Sequence, residues 1–144
     1  MIRRSLITFL VALSLVSRTF SQEPLPVFAI RRPTVVAFFV QAGQGAQQDG
    51  ENEALDDFQF YLPRARKDLG KEGVDLKVVY ASSFKVRLRS ETRIFRPGEI
   101  KVGYYFIAPG KQARVEYGVL TDEDISHIAH EYFGRAPKLQ GARH

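Results

Sequence analysis

The chain has 144 residues, no cysteine, and 44% hydrophobic and 12% aromatic content, which is the make-up of one globular domain and not of a disordered chain. The missing thiol excludes disulfide staples, thiol-disulfide oxidoreductase and thiol peroxidase chemistry, thiolate metal sites and cysteine-linked lipid. The formal charge of +5 is concentrated at the start: with Arg3, Arg4 and Arg18 set aside, 18 basic residues face 16 acidic ones, a net +2 that gives no case for nucleic acid.

Residues 1–21 read as a secretory signal. Arg3 and Arg4 form a basic start, Ser5 to Val16 an apolar run too short to span a bilayer, and Thr19 and Ser21 the small residues of a cleavage site. The mature chain is expected to begin near Gln22, to have no transmembrane anchor and to be secreted or periplasmic. The pair Arg3-Arg4 also fits a twin-arginine route.

Residues 22–33 hold three prolines and read as an extended lead-in. Thr34 to Val40 is a continuous β-branched and aromatic run, the pattern of a central strand buried on both faces. Gln41 to Asn52, rich in Gln and Gly, is expected to be a loop. A helix is expected from Glu53, with Leu55, Phe58, Leu62, Ala65 and Leu69 on one face, Gly70 or Gly73 at its end and a kink at Pro63. Val74 to Ala81 is a second strand. Phe84 to Arg89 alternates apolar and basic residues and is assigned as a half-exposed strand, although a short helix also fits.

Pro109-Gly110 presets a tight turn, so Gly103 to Ile107 and Gln112 to Tyr117 form an antiparallel hairpin. Thr121 is expected to cap a final helix whose first turn is acidic, with Ile125, Ile128, Ala129 and Tyr132 inward and Gly134 at its end. Residues 134–144 form a basic tail.

The order strand, long loop, proline-interrupted helix, strand, connector, hairpin and final helix over residues 34–133 resembles the thioredoxin fold. The resemblance implies an α/β class, with a three-layer sandwich around a central mixed sheet. Its functional residues do not carry over. Leu55 to Phe58 stand where that family has a cysteine motif, and Lys101-Val102 stand where its cis-proline precedes the hairpin. The resemblance therefore implies a scaffold without the redox centre. A non-redox module that binds an extracytoplasmic protein or small ligand follows, with no cofactor.

For such a module the expected contact surface combines Gln44, Gln47 and Asp49 of the loop with the hairpin aromatics Tyr104 and Tyr105. Two rival readings remain. A basic envelope-binding surface would use Arg87, Arg89 and Arg93 in the stretch Lys85 to Arg96, against the plainer reading of a solvated strand edge. A thiol-independent, metal-using enzyme would draw on His127, His130 and Glu131, helix neighbours at spacings of three and four that otherwise form a solvated polar face. No G-x-S-x-G, phosphate-cradling or paired-carboxylate pattern supports an enzyme, so catalysis is the minority expectation.

Overall fold

A computed structural model describes residues 24–41 and 48–134; the expected signal, Gln44, Gln47 and nearly all of the basic tail lie outside them. The elements, in chain order, are β1 (Val27–Ala29), β2 (Thr34–Phe39), α1 (Gln48–Lys71), β3 (Asp75–Val79), β4 (Phe84–Arg87), β5 (Thr92–Phe95), β6 (Val102–Ile107), β7 (Arg114–Tyr117) and α2 (Asp122–Phe133). Among these residues no helix is long and apolar enough to cross a membrane.

The class is α/β, with two mixed sheets. The central sheet has the order β3-β2-β6-β7, parallel between β2 and β3 and antiparallel from β2 to β6 and from β6 to β7. Every residue of β2 is buried, as its unbroken apolar run requires. Alternation divides the strand between two cores. Val35, Ala37 and Phe39 pack with Phe58, Leu62, Ala65 and Leu69 of α1 and with Ile125, Ala129 and Tyr132 of α2. Val36 and Phe38 pack on the other face with Phe84, Val86, Leu88 and Ile30. That second core is closed by a three-stranded sheet of order β1-β4-β5. The layers are thus helices, four-stranded sheet, three-stranded sheet.

Several local expectations hold for the reasons that suggested them. The Thr121 hydroxyl accepts from the Asp124 amide at 3.2 Å, and Gly134 ends α2 in the left-handed region. The Ala108-Pro109-Gly110-Lys111 turn joins β6 and β7 with Gly110 at φ 72°, as a type II turn demands. At the end of α1, Gly73 also has positive φ. Its amide donates to the Gly70 carbonyl at 3.1 Å and that of Val74 to Leu69 at 3.0 Å, while Leu69 and Val74 share the helix-side core. This is a Schellman close.

Other expectations are corrected. The helix begins at Gln48, five residues before the expected start, so the second half of the expected 41–52 loop is helical. Glu51 and Glu53 then fall in its first turns, where the helix dipole favours acids. Gly70 lies inside α1, and Gly73 closes it. Pro63 lies inside the helix, as the apolar spacing placed it, and is exposed; the Gln59 carbonyl it leaves without an amide partner belongs to an exposed residue as well. The strand expected from Phe84 is present as β4, and what is added is its partner, β5, which its own residues did not announce.

At Gly103 the central sheet leaves no room for a side chain. A Cβ there would lie 2.6 Å from the Glu116 carbonyl oxygen and 2.9 Å from the Phe38 ring. Gly103→Ala is therefore expected to lower unfolding free energy by about 1–3 kcal/mol, since backbone and a buried ring must both move. Denaturant titration measures this; an unchanged midpoint would mean that β6 and β7 can separate freely at this point.

Candidate functional site

A groove of about 610 Å³ lies between the free edges of the two sheets. One wall is Arg93 and Phe95 of β5; the other is Lys111, Gln112 and Ala113, which lead from the hairpin turn into β7; Tyr105 of β6 contributes to the floor. None of its lining residues is acidic. The volume falls within the range of small-ligand sites, about 300–1,000 Å³.

Both cations are held in place. The Arg93 guanidinium donates to Glu91 through Nε at 2.9 Å and to the Lys111 carbonyl at 2.9 Å, tying the three-stranded sheet to the hairpin of the other. A third N–H also reaches Glu91, so two of its five donors remain for a ligand. The Lys111 ammonium lies over the Tyr132 ring, 4.1 Å from its centroid, and donates to the Tyr132 carbonyl near the C-terminus of α2, where the helix dipole favours a cation. Phe95 and Tyr105 meet with ring centroids 4.8 Å apart, and Phe95 stacks on Phe84 at 5.2 Å. A flat apolar wall therefore adjoins two pinned positive charges. Such a site suits a carboxylate or phosphate attached to an apolar or planar body.

Of the hairpin aromatics expected at the contact surface, Tyr104 is corrected outright. It is 0% exposed, packs on Phe58, and its hydroxyl accepts from the Leu120 amide at 3.2 Å. Strand alternation sends Tyr104 to the helix side and Tyr105 to the groove side. Tyr105 is 8% exposed and reaches the groove only as lining. Asp49 is backbone of the first turn of α1. Arg87 is exposed on β4, and Arg89 is exposed in the β4–β5 turn; neither lines the groove.

The expected metal ligands do not converge. His130 pairs with Glu72 at the end of α1, whereas Glu131 turns to Arg114 of β7 at 3.1 Å. Helix spacing made the three neighbours, but partners on different elements draw them apart. Among the described residues no group of three metal-ligating side chains is assembled. His127 and His130 instead line a second cavity, about 460 Å³, with Asp68, Glu72 and Ser126. The Ser126 Oγ is buried there without a hydrogen-bond partner.

Comparison with protein-family models, with curated proteins and with solved structures gives no match.

Burial pushes the Tyr104 phenol up from its ordinary value of 10, opposed in part by the Leu120 amide. Burial does the same for Tyr105, with Tyr117 adding to the shift. The folded state thus holds these protons more tightly than the unfolded chain does. Their contribution to stability is complete below pH 10 and is lost as pH climbs through the folded values. Denaturation midpoints measured from pH 8 to 11 are expected to fall above pH 10, and to fall less steeply in Tyr104→Phe. An equal slope in the two proteins would remove Tyr104 as a source of the alkaline loss.

Proposed function

We propose that the protein is an exported, non-redox binding module of thioredoxin-like architecture that receives an acidic ligand end in the groove between its sheet edges. The observation that carries the binding reading is the pairing of Arg93 and Lys111, each fixed by named contacts, with the Phe95 and Tyr105 rings in a concavity free of acidic lining. A ligand of this chemistry is the carboxylate of a peptide segment or of a small organic acid, with an apolar group set against the rings. The architectural part is supported by the strand order β3-β2-β6-β7, its orientations and the two helices on one face. Export is supported by the three-part N-terminal sequence, and the non-redox part by the absence of cysteine from the whole chain, which leaves nothing for thiol chemistry on this scaffold.

The groove supplies recognition and no reaction. It holds neither a nucleophile beside a base nor paired carboxylates, since its ionisable lining is Arg93, Lys111 and Tyr105. Arg93 positions the two walls as well as offering charge, because its bond to the Lys111 carbonyl spans them.

Calorimetric titration with a series of N-acetylated peptides ending in an aromatic residue tests the reading. Binding is expected for the free-carboxylate peptides and not for their C-terminal amides. Lys111→Met should weaken it about tenfold or more, as a charge-assisted hydrogen bond contributes roughly 1.5–3 kcal/mol. Equal binding of acid and amide forms, or full affinity in Lys111→Met, would refute the groove as an acid site.

A further inference from the structure

The outward face of the three-stranded sheet carries a different kind of chemistry. Strand register puts Val27, Lys85 and Ile94 in one cross-strand row, and Ala29, Arg87 and Thr92 in the next. Phe28, Phe84, Val86 and Phe95 occupy the alternate positions and pack into the core beneath, so these two rows face away from it. Val27 and Ile94 are 50% and 48% exposed. Arg89 and Arg96, also exposed, follow β4 and β5 and continue their alternation.

No cation of this face is neutralised by another described residue. Arg32, Arg93 and Arg114 each pair with a carboxylate, whereas Lys85, Arg87, Arg89 and Arg96 enter no ion pair or hydrogen bond among the described residues. The three strands contain no acid. Glu91, in the turn between β4 and β5, is held by Arg93, whose side chain belongs to the inner set.

We propose that this face docks on an anionic lipid surface, with Lys85, Arg87, Arg89 and Arg96 at the headgroups and Val27 and Ile94 entering the interface. The mixture selects lipid over an acidic protein or polymer. A polyanion would satisfy the cations and leave two half-exposed aliphatic side chains facing charge, whereas a membrane interface accepts both together. Four clustered Lys and Arg reach the number at which such patches bind acidic headgroups, about 4–8. The flanking Val27 and Ile94 lie either side of Lys85 in the same row, so all three would meet a flat surface at once. This inference does not rest on the groove, and the two surfaces are tested apart.

The measurement is flotation of the full chain with vesicles of phosphatidylcholine alone or with one third phosphatidylglycerol. The N-terminal apolar run is common to every variant, so the comparison reads the sheet face. Wild type is expected to favour anionic vesicles, and Lys85→Glu/Arg87→Glu to lose that preference more than tenfold, each cation contributing about fivefold. Val27→Ser/Ile94→Ser should weaken binding to anionic vesicles while sparing binding to polyglutamate. Lys111→Met, the groove variant, should bind vesicles as wild type does. Circular dichroism confirms that each variant is folded. No preference for anionic vesicles, or an undiminished one in the charge-reversed variant, would overturn the proposal. Polyglutamate binding without vesicle binding would replace it with an acidic-polymer surface.

Discussion

Everything in this fold depends on the burial of β2 from both sides. Six consecutive residues, Thr34 to Phe39, are all sequestered from water, and with no cysteine the domain has no covalent support to fall back on. A strand of that kind needs a cover on each face and a hydrogen-bonded neighbour at each edge. The helices supply one cover and the three-stranded sheet the other, while β3 and β6 supply the edges. Even the one polar side chain in the run is accounted for, since the Thr34 hydroxyl donates to the Arg32 carbonyl at 2.9 Å.

The second cover has a topological consequence. β4 and β5 are inserted between β3 and β6, so the chain leaves the central sheet, builds most of an outer layer and returns. Stacking one sheet on another leaves free edges, and here β5 and the segment that leads into β7 border the same groove. The Arg93 bond to the Lys111 carbonyl crosses that gap and fixes its width. A helix in place of the outer sheet would have covered the same core without offering a second open strand edge. The groove is thus a by-product of how Val36 and Phe38 are covered, and its charge comes from the two residues that hold its walls.

What the sequence disclosed follows the range of the interactions that set it. Local signals were legible: the Thr121 cap, the Pro109-Gly110 turn, the apolar face Phe58-Leu62-Ala65-Leu69 and the uninterrupted run of β2 each state their structure within a few residues. Pairing across the chain was not. Thr92 to Phe95 is strand because Phe84 and Val86 lie opposite Phe95 and Arg93, and nothing in its four residues announces that partner. The hairpin aromatics show the same limit: adjacent Tyr104 and Tyr105 look equivalent, yet they enter opposite cores. Lys111 read only as a turn residue because the carbonyl that receives its ammonium belongs to Tyr132, 21 residues away. The Arg93 contact is separated by 18 residues. The candidate site was invisible to that extent because it is made of long-range contacts. One signal for part of it was present, in the aromatic residues Phe84 and Phe95 at the two ends of the basic segment.

The charges divide along the same lines. Arg32 with Asp75 joins the approach to β2 to β3, Arg93 with Glu91 braces the outer hairpin, and Arg114 bridges Glu116 and Glu131 to tie β7 to α2. These pairs sit where elements meet, and all are at least partly exposed, so each contributes little stability and mainly sets orientation. Lys85, Arg87, Arg89 and Arg96, which enter no such pair among the described residues, share one sheet face with the exposed Val27 and Ile94. Solubility alone favours mixing signs and scattering apolar groups. A face that does neither is the part of the surface least explained by folding, and so the part most in need of a partner.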